Sequence, residues 1–232
     1  MGEGDTSLQD LRQRIDKIDD AIHDLLMQRS NLVDQIAAAK GENAIAMRPG
    51  REARVVRRIL ARHDGRFPIG VLVRIWREII AACTALQQPL AVAVYEAEGG
   101  PSLERLARAH FGSMTRLSHF ASESGVIRAI TEGRATVGLL PIPEGGTGSP
   151  WWLFLARRSD DTPRIIARLP FIRAADQRRS NRAEALVLGL VPHEDSGDDH
   201  SFVIIEVKEE LSRTAMMALL AKAEITRPDR GL

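Results

Sequence analysis

The sequence predicts two parts of different class, an all-helical first part and an α/β second part, meeting near Pro89. Two observations carry this. Before Pro89, apolar residues recur at three- and four-residue steps, the period of one face of a helix. After it, short β-branched and leucine-rich runs alternate with helical stretches, as in an α/β fold. The division puts a helical domain at residues 1–88 and an α/β domain at residues 89–232.

In the first part, Ser7 is placed to cap a helix, with Asp10 in its first turn. Leu8, Leu11, Ile15, Ile18, Ile22, Leu25, Leu32, Val33 and Ile36 form its apolar stripe, and Gly41 stops it after Lys40. A second helix is expected from Pro49 to about His63, and a third from Ile69 to Gln87. The first helix, 33 residues, would be about 50 Å long. A domain of fewer than 100 residues is only about 25–30 Å across. One short helix hairpin does not cover such a stripe, and the expected cover is a second copy of the chain in an entwined two-fold dimer. The stripe is wider than a strict coiled-coil seam and lacks paired flanking charges, which argues against a free-standing coiled coil.

In the second part, residues 90–97, 135–142, 164–172, 185–191 and 201–207 are expected strands. Residues 102–112, 123–133 and 213–225 are expected helices. Trp151 and Trp152 follow Pro150 and fit a pocket wall less well than a core or interface. The acidic run HEDSGDDH at 193–200 fits a solvated loop better than a metal site.

Composition narrows the function. A net charge of +1 provides no global field for nucleic acid or an anionic membrane. The single cysteine, Cys83, rules out an internal disulfide framework and a CxxC metal site. That fits a cytoplasmic protein. No apolar run is long enough to span a bilayer, and the polar N-terminus does not resemble a signal peptide.

The informative residues are cations in apolar company. Arg29 and Lys40 are eleven positions apart and nearly eclipsed on the first helix, about 16 Å apart along its axis. Ile18, Ile22 and Ile36 share their meridian. An unpaired buried cation there costs several kcal/mol. Snorkelling to solvent avoids that cost, and so does an anionic ligand; spacing does not choose between them. Arg51 and Glu52 fall in the first turn of the second helix, and Gln87 closes the third. Arg12 lies about 100° from the Arg29–Lys40 line, facing outward, where it can serve a partner's site. No Ser/His, Cys/His or paired-acid device accompanies them, and His23 and His63 fit the surface. Seven arginines between residues 48 and 66, with Arg51, Arg54, Arg58 and Arg62 on one face, raise nucleic-acid binding as a rival. The balanced charge and the lack of interleaved aromatics favour a solvated face with Arg51 turned inward.

Residues 7–88, with LRQRID-KID near the start, Arg29, Lys40, the pair Arg51-Glu52 and terminal Gln87, resemble the all-helical (type II) chorismate mutases. The resemblance implies a three-helix chain in an entwined dimer that turns chorismate into prephenate by an intramolecular pericyclic rearrangement, with no metal or cofactor. It implies that Arg29 and the partner's Arg12 hold the substrate carboxylates and that Arg51 adds positive charge. Glu52 would share a proton with the ring hydroxyl, and Lys40 and Gln87 would bond the ether oxygen as the C–O bond breaks. Cys83 stands where the family has a serine beside the substrate, and Met47-Arg48-Pro49-Gly50 where many relatives carry an acid.

Residues 90–190 resemble, more weakly, prephenate dehydratase, whose two-lobed domain is similar to periplasmic binding proteins. AITEGRATVGLLPIPEGGTGS is similar to one of its segments, but Pro143-Glu144 and Gly145-Gly146 replace polar residues. Where that enzyme has Thr-Arg-Phe, this chain has Ala183-Glu184-Ala185. The expectation is a non-catalytic dehydratase-like domain, with a bifunctional mutase–dehydratase and a non-enzymatic regulator as alternatives.

Overall fold

The computed structural model describes residues 7–41, 45–97, 102–143, 150–157, 159, 161–171, 183–202, 204 and 212–223. The chain forms two compact units, residues 1–199 and 200–232. The second contains one described helix, Arg213–Lys222, started by the Ser212 hydroxyl accepting from the Ala215 N–H. Most of the strand expected at 201–207, Glu144 to Gly146 and the stretch around Gly99 lie outside the described residues.

The first unit opens with three helices: α1 (Leu8–Lys40), α2 (Pro49–Ala61) and α3 (Ile69–Gln87). Ser7 and Asp10 close a reciprocal capping box on α1, so two of its unpaired N–H groups are satisfied locally. Helix α2 ends at Ala61, two residues short of the expected end, because Arg62 and His63 turn back to the Ile59 and Leu60 carbonyls. Helix α1 contains no buried residue among the described residues, and Leu8, Ile15, Ile18, Ile22, Leu25 and Leu32 are each more than half exposed. Its apolar stripe stands open in the single chain.

A five-stranded sheet follows: β1 (Ala91–Tyr95), β2 (Arg116–Phe120), β3 (Val137–Pro141), β4 (Arg164–Leu169) and β5 (Ala185–Gly189), in the order β2-β1-β3-β5-β4. Strands β2, β1 and β3 are parallel, whereas β5 is antiparallel to both β3 and β4. Helix α4 (Glu104–Phe111) joins β1 to β2, and α5 (Glu123–Thr131) joins β2 to β3. Strand β2 escaped the sequence reading because its RLSHF run lies at an edge and is mostly exposed, so it lacks the apolar alternation that marks a strand.

The pleat sorts side chains by period two. Val92, Val94, Val137, Leu139 and Val187 pack with Leu106, Ala107 and Phe111 of α4 on one face. Ala93, Leu140, Leu186 and Leu188 pack with Val126, Ile127 and Ile130 of α5 on the other. Trp151, in a short 3-10 turn (Trp151–Ala156), is buried on that second face, so it belongs to the core. Met47, from the α1–α2 connection, joins the first face and ties helices and sheet into one core.

Helix α3 also meets α4 directly. Gly112, with φ +89°, brings the end of α4 against Ala81, where a Cβ would lie 2.7 Å from the Ala81 Cβ. Both Glu78 carboxylate oxygens accept the Ser113 N–H at 3.0 Å.

Gly138 of β3 faces α5, and a Cβ there would lie 2.4 Å from Val126 Cγ1 and 2.9 Å from Ile130 Cδ1. Gly138→Val is therefore expected to overpack this face and lower stability by about 1–3 kcal/mol, measured by urea denaturation.

Candidate active site

The structure assembles the sequence-selected residues into two groups and leaves three outside them. The first group lies between α1 and α3. Arg29 donates through Nη1 to Cys83 Sγ, and Gln87, one turn further along α3, donates through Nε2 to the Cys83 carbonyl at 3.1 Å. Arg29 is half-buried and Cys83 is buried. A guanidinium with one modest sulfur acceptor retains most of its five donors for other partners. Helix periodicity explains the group: Cys83 and Gln87 are four apart and share a face of α3.

The second group was only half visible in the sequence. Glu52 of α2 accepts from Arg77 Nη1 of α3 at 3.4 Å. Arg77 is 3% exposed, the Glu52 side chain 15%. Burial raises the Glu52 pKa above its ordinary 4.5; Arg77 and the Arg48 backbone N–H oppose that shift, and Glu194 adds to it. Burial also lowers Arg77 to about 10, against the pull of Glu52. The Phe171 ring lies over the guanidinium, 4.5 Å from ring centroid to Cζ. Arg77 Nε has no hydrogen-bond partner among the described residues. His110 of α4 is held neutral, well below 6.5, by burial first and Arg77 second. Arg77 was missed because an arginine in a helix ordinarily suggests the surface. Its signal was its place on the line Val73, Arg77, Ile80, Thr84, which is the buried side of α3.

Arg77 and Cys83 are about 120° apart around α3, and no hydrogen bond joins the two groups among the described residues. Arg12, Lys40 and Arg51 are exposed, and their side chains make no hydrogen bond or ion pair among the described residues. The expectation that Arg51 turns inward is corrected: the inward position in that turn is taken by Glu52, and the Arg51 backbone N–H is bonded to Glu194. The acidic run 193–200 is likewise not simply solvated, because Glu194, Ser196 and Asp198 contact Arg48 and Arg57 of the second-helix region. His23 is at the surface beside Asp24. Among the described residues no cluster of His, Cys, Asp or Glu is arranged to hold a metal ion. No helix there is long and apolar enough to cross a membrane.

At the position resembling the dehydratase's arginine, Glu184 precedes β5 and accepts from Arg168 Nη2 of β4 at 3.0 Å. A carboxylate paired with Arg168 thus stands where the resemblance would place an arginine.

Comparison with known proteins agrees with this two-part architecture. Residues 11–88 match the family model of chorismate mutase type II. The bifunctional chorismate mutase/prephenate dehydratase of Stutzerimonas stutzeri is 34% identical over 64% of this chain and 42% of its own length. The protein of the same name from Pseudomonas aeruginosa is 31% identical over 61% of this chain and 40% of its own. Matches of that length do not fit within the first 88 residues, so they continue into the sheet domain. The chain spans about two fifths of the length of these curated relatives. No solved structure matches it. The chain thus has an N-terminal helical region that matches the chorismate mutase type II model, followed by a mixed α/β sheet.

Arg77→Met leaves Glu52 buried without its counter-charge and is expected to cost about 3 kcal/mol near neutral pH. The Glu52 pKa then rises further above 4.5. A raised pKa gives stability that is full below the unfolded value and lost as pH rises through the folded one. The loss in this variant should therefore be larger at pH 8 than at pH 4.5, measured by urea denaturation at both.

Proposed function

We propose that this protein is a chorismate mutase, converting chorismate to prephenate in aromatic amino acid biosynthesis. In this reading residues 1–88 are the mutase domain and residues 89–232 a non-catalytic dehydratase-like domain. The observation that carries it is the α1–α3 group: Arg29, Cys83 and Gln87 meet within the segment that matches the chorismate mutase model.

The reaction needs no nucleophile. It needs a dianionic substrate to be held folded while one C–O bond breaks and one C–C bond forms within the same molecule. Arg29 binds one carboxylate through charge-assisted, bidentate hydrogen bonds. Lys40 and Gln87 donate to the ether oxygen, where negative charge grows. Donors fixed in advance at such a point contribute about 2.7–4 kcal/mol each. Arg51 adds positive charge, and Cys83 keeps a small side chain beside the ring. Glu52 shares a proton with the ring hydroxyl, supported by its raised pKa, and reaching the substrate requires it to leave Arg77. Holding the enolpyruvyl arm over the ring lowers the barrier further.

The second carboxylate is the task of Arg12 from the other subunit of a homodimer. The support is the open stripe of α1, whose large apolar residues are 44–64% exposed in the single chain. Covering the eight exposed side chains of that stripe stabilises a dimer by something on the order of 10 kcal/mol before the cost of association. A cytoplasmic location is supported by the single, unpaired cysteine. A bifunctional mutase–dehydratase is the second reading, favoured by the names of the relatives. The Glu184–Arg168 pair speaks against it.

Pure protein is expected to remove chorismate absorbance and yield prephenate; phenylpyruvate as product would favour the second reading, and no loss of absorbance would end both. Lys40→Ala is expected to lower kcat/KM by about a thousandfold with the dimer intact, checked by the same assay and by sedimentation. Mixing Arg12→Ala with Lys40→Ala chains should restore about a quarter of wild-type activity, since each hybrid dimer regains one intact site. No recovery after proven subunit exchange would place Arg12 outside the shared site.

A further inference from the structure

We infer that Glu194, from the loop after β5, is a positioning residue for the mutase site: it holds the first turn of α2, and with it Arg51 and Glu52. This role rests on the mutase reading. Helix α2 begins without a side-chain cap of its own, because Arg48 at the N-cap makes none and Pro49 has no N–H. Glu194 supplies the missing acceptor from the α/β part. Its Oε2 accepts the Arg51 N–H at 3.3 Å, and its Oε1 pairs with Arg48 Nε. Only 14% of the Glu194 side chain is exposed, so the carboxylate is docked rather than waving in solvent. The negative charge stands at the positive end of the helix, where it is favoured. Arg48 neutralises it, so an anionic substrate meets no uncompensated carboxylate there.

The close approach is written into the sequence at Gly50. A Cβ at that position would lie 2.6 Å from Glu194 Cβ, 2.8 Å from its carbonyl oxygen and 3.0 Å from that of Asp195. A glycine in the first turn of a helix weakens the helix relative to alanine, and here it admits the loop. Two turns further along α2, Arg57 donates to the Ser196 carbonyl, to Ser196 Oγ at 3.2 Å and to Asp198 Oδ2 at 3.3 Å. The loop is braced within itself: Asp199 accepts from the Ser196 N–H at 3.0 Å and its hydroxyl at 2.7 Å, and Asp195 accepts from the Gly197 N–H at 2.7 Å. The sheet domain therefore reaches back to the turn that carries two of the proposed site residues. The two halves are joined functionally through this loop even if the second has no chemistry of its own.

The test compares Glu194→Ala, Glu194→Gln and Gly50→Ala with wild type in the full chain, measuring kcat, KM for chorismate, melting temperature and hydrogen exchange at the Arg51 amide. Glu194→Ala should raise KM about tenfold with kcat changed less, because loosened Arg51 and Glu52 bind the substrate less well. Glu194→Gln keeps an acceptor for the Arg51 N–H and should raise KM less. Gly50→Ala should reproduce the KM increase by expelling the loop, although alanine favours the helix, and both alanine variants should speed exchange at Arg51. Unchanged KM in Glu194→Ala and Gly50→Ala, with wild-type turnover present, would overturn the positioning role alone, whatever the melting temperatures do. A wild-type chain without mutase turnover would overturn the mutase reading and this role with it.

Discussion

Helix α1 offers a stripe of eight large apolar side chains to solvent, and the account of the rest of the molecule depends on what covers them. A 33-residue helix outruns any short partner in its own chain. Helix α3 meets it near Arg29 and Cys83, yet no position of α1 becomes buried among the described residues. The cations on the stripe follow from the same geometry. Arg29 is drawn to α3, whereas Lys40 and Arg12 remain without polar side-chain partners among the described residues. In the proposed dimer one contact covers the stripe and completes the anion site, so folding of the helical part and catalysis share one interface.

Helix α3 is the seam of the chain. One side carries Cys83 and Gln87 toward α1, and another carries Arg77 toward Glu52 of α2. Glu78 and Ala81 receive the start of the segment after α4. A buried ion pair is weak evidence for stability, because desolvation opposes attraction. The opposing pKa shifts of Glu52 and Arg77 have that cause. In the single chain the pair keeps the Glu52 carboxylate beside Arg77, and burial lets it hold a proton more readily than in water.

Much of this was legible in the chain. The three- and four-residue apolar steps placed α1 and α3 at their observed limits, and Ser7 marked the first cap, because these signals are local. The short continuous apolar runs of β1, β3 and β5 marked strands buried on both faces. Strand β2 was hidden because an edge strand with one partner needs no apolar alternation. Arg77, the docked loop at Glu194 and the outward turn of Arg51 were hidden for another reason. Each depends on contacts between residues 25 to 146 positions apart, which no local pattern encodes. Gly50 was the one local sign of the loop, and it gains meaning only when the neighbour is known. The family resemblance, rather than periodicity, selected Arg29, Lys40, Glu52 and Gln87 as a set.

The most direct measurement of the central claim is the mass of the pure protein by sedimentation equilibrium across a wide range of dilution, with mutase activity followed on the same samples. The account predicts twice the mass of the chain at working concentration and activity that disappears as the dimer dissociates. A monomer that retains full mutase activity would contradict it.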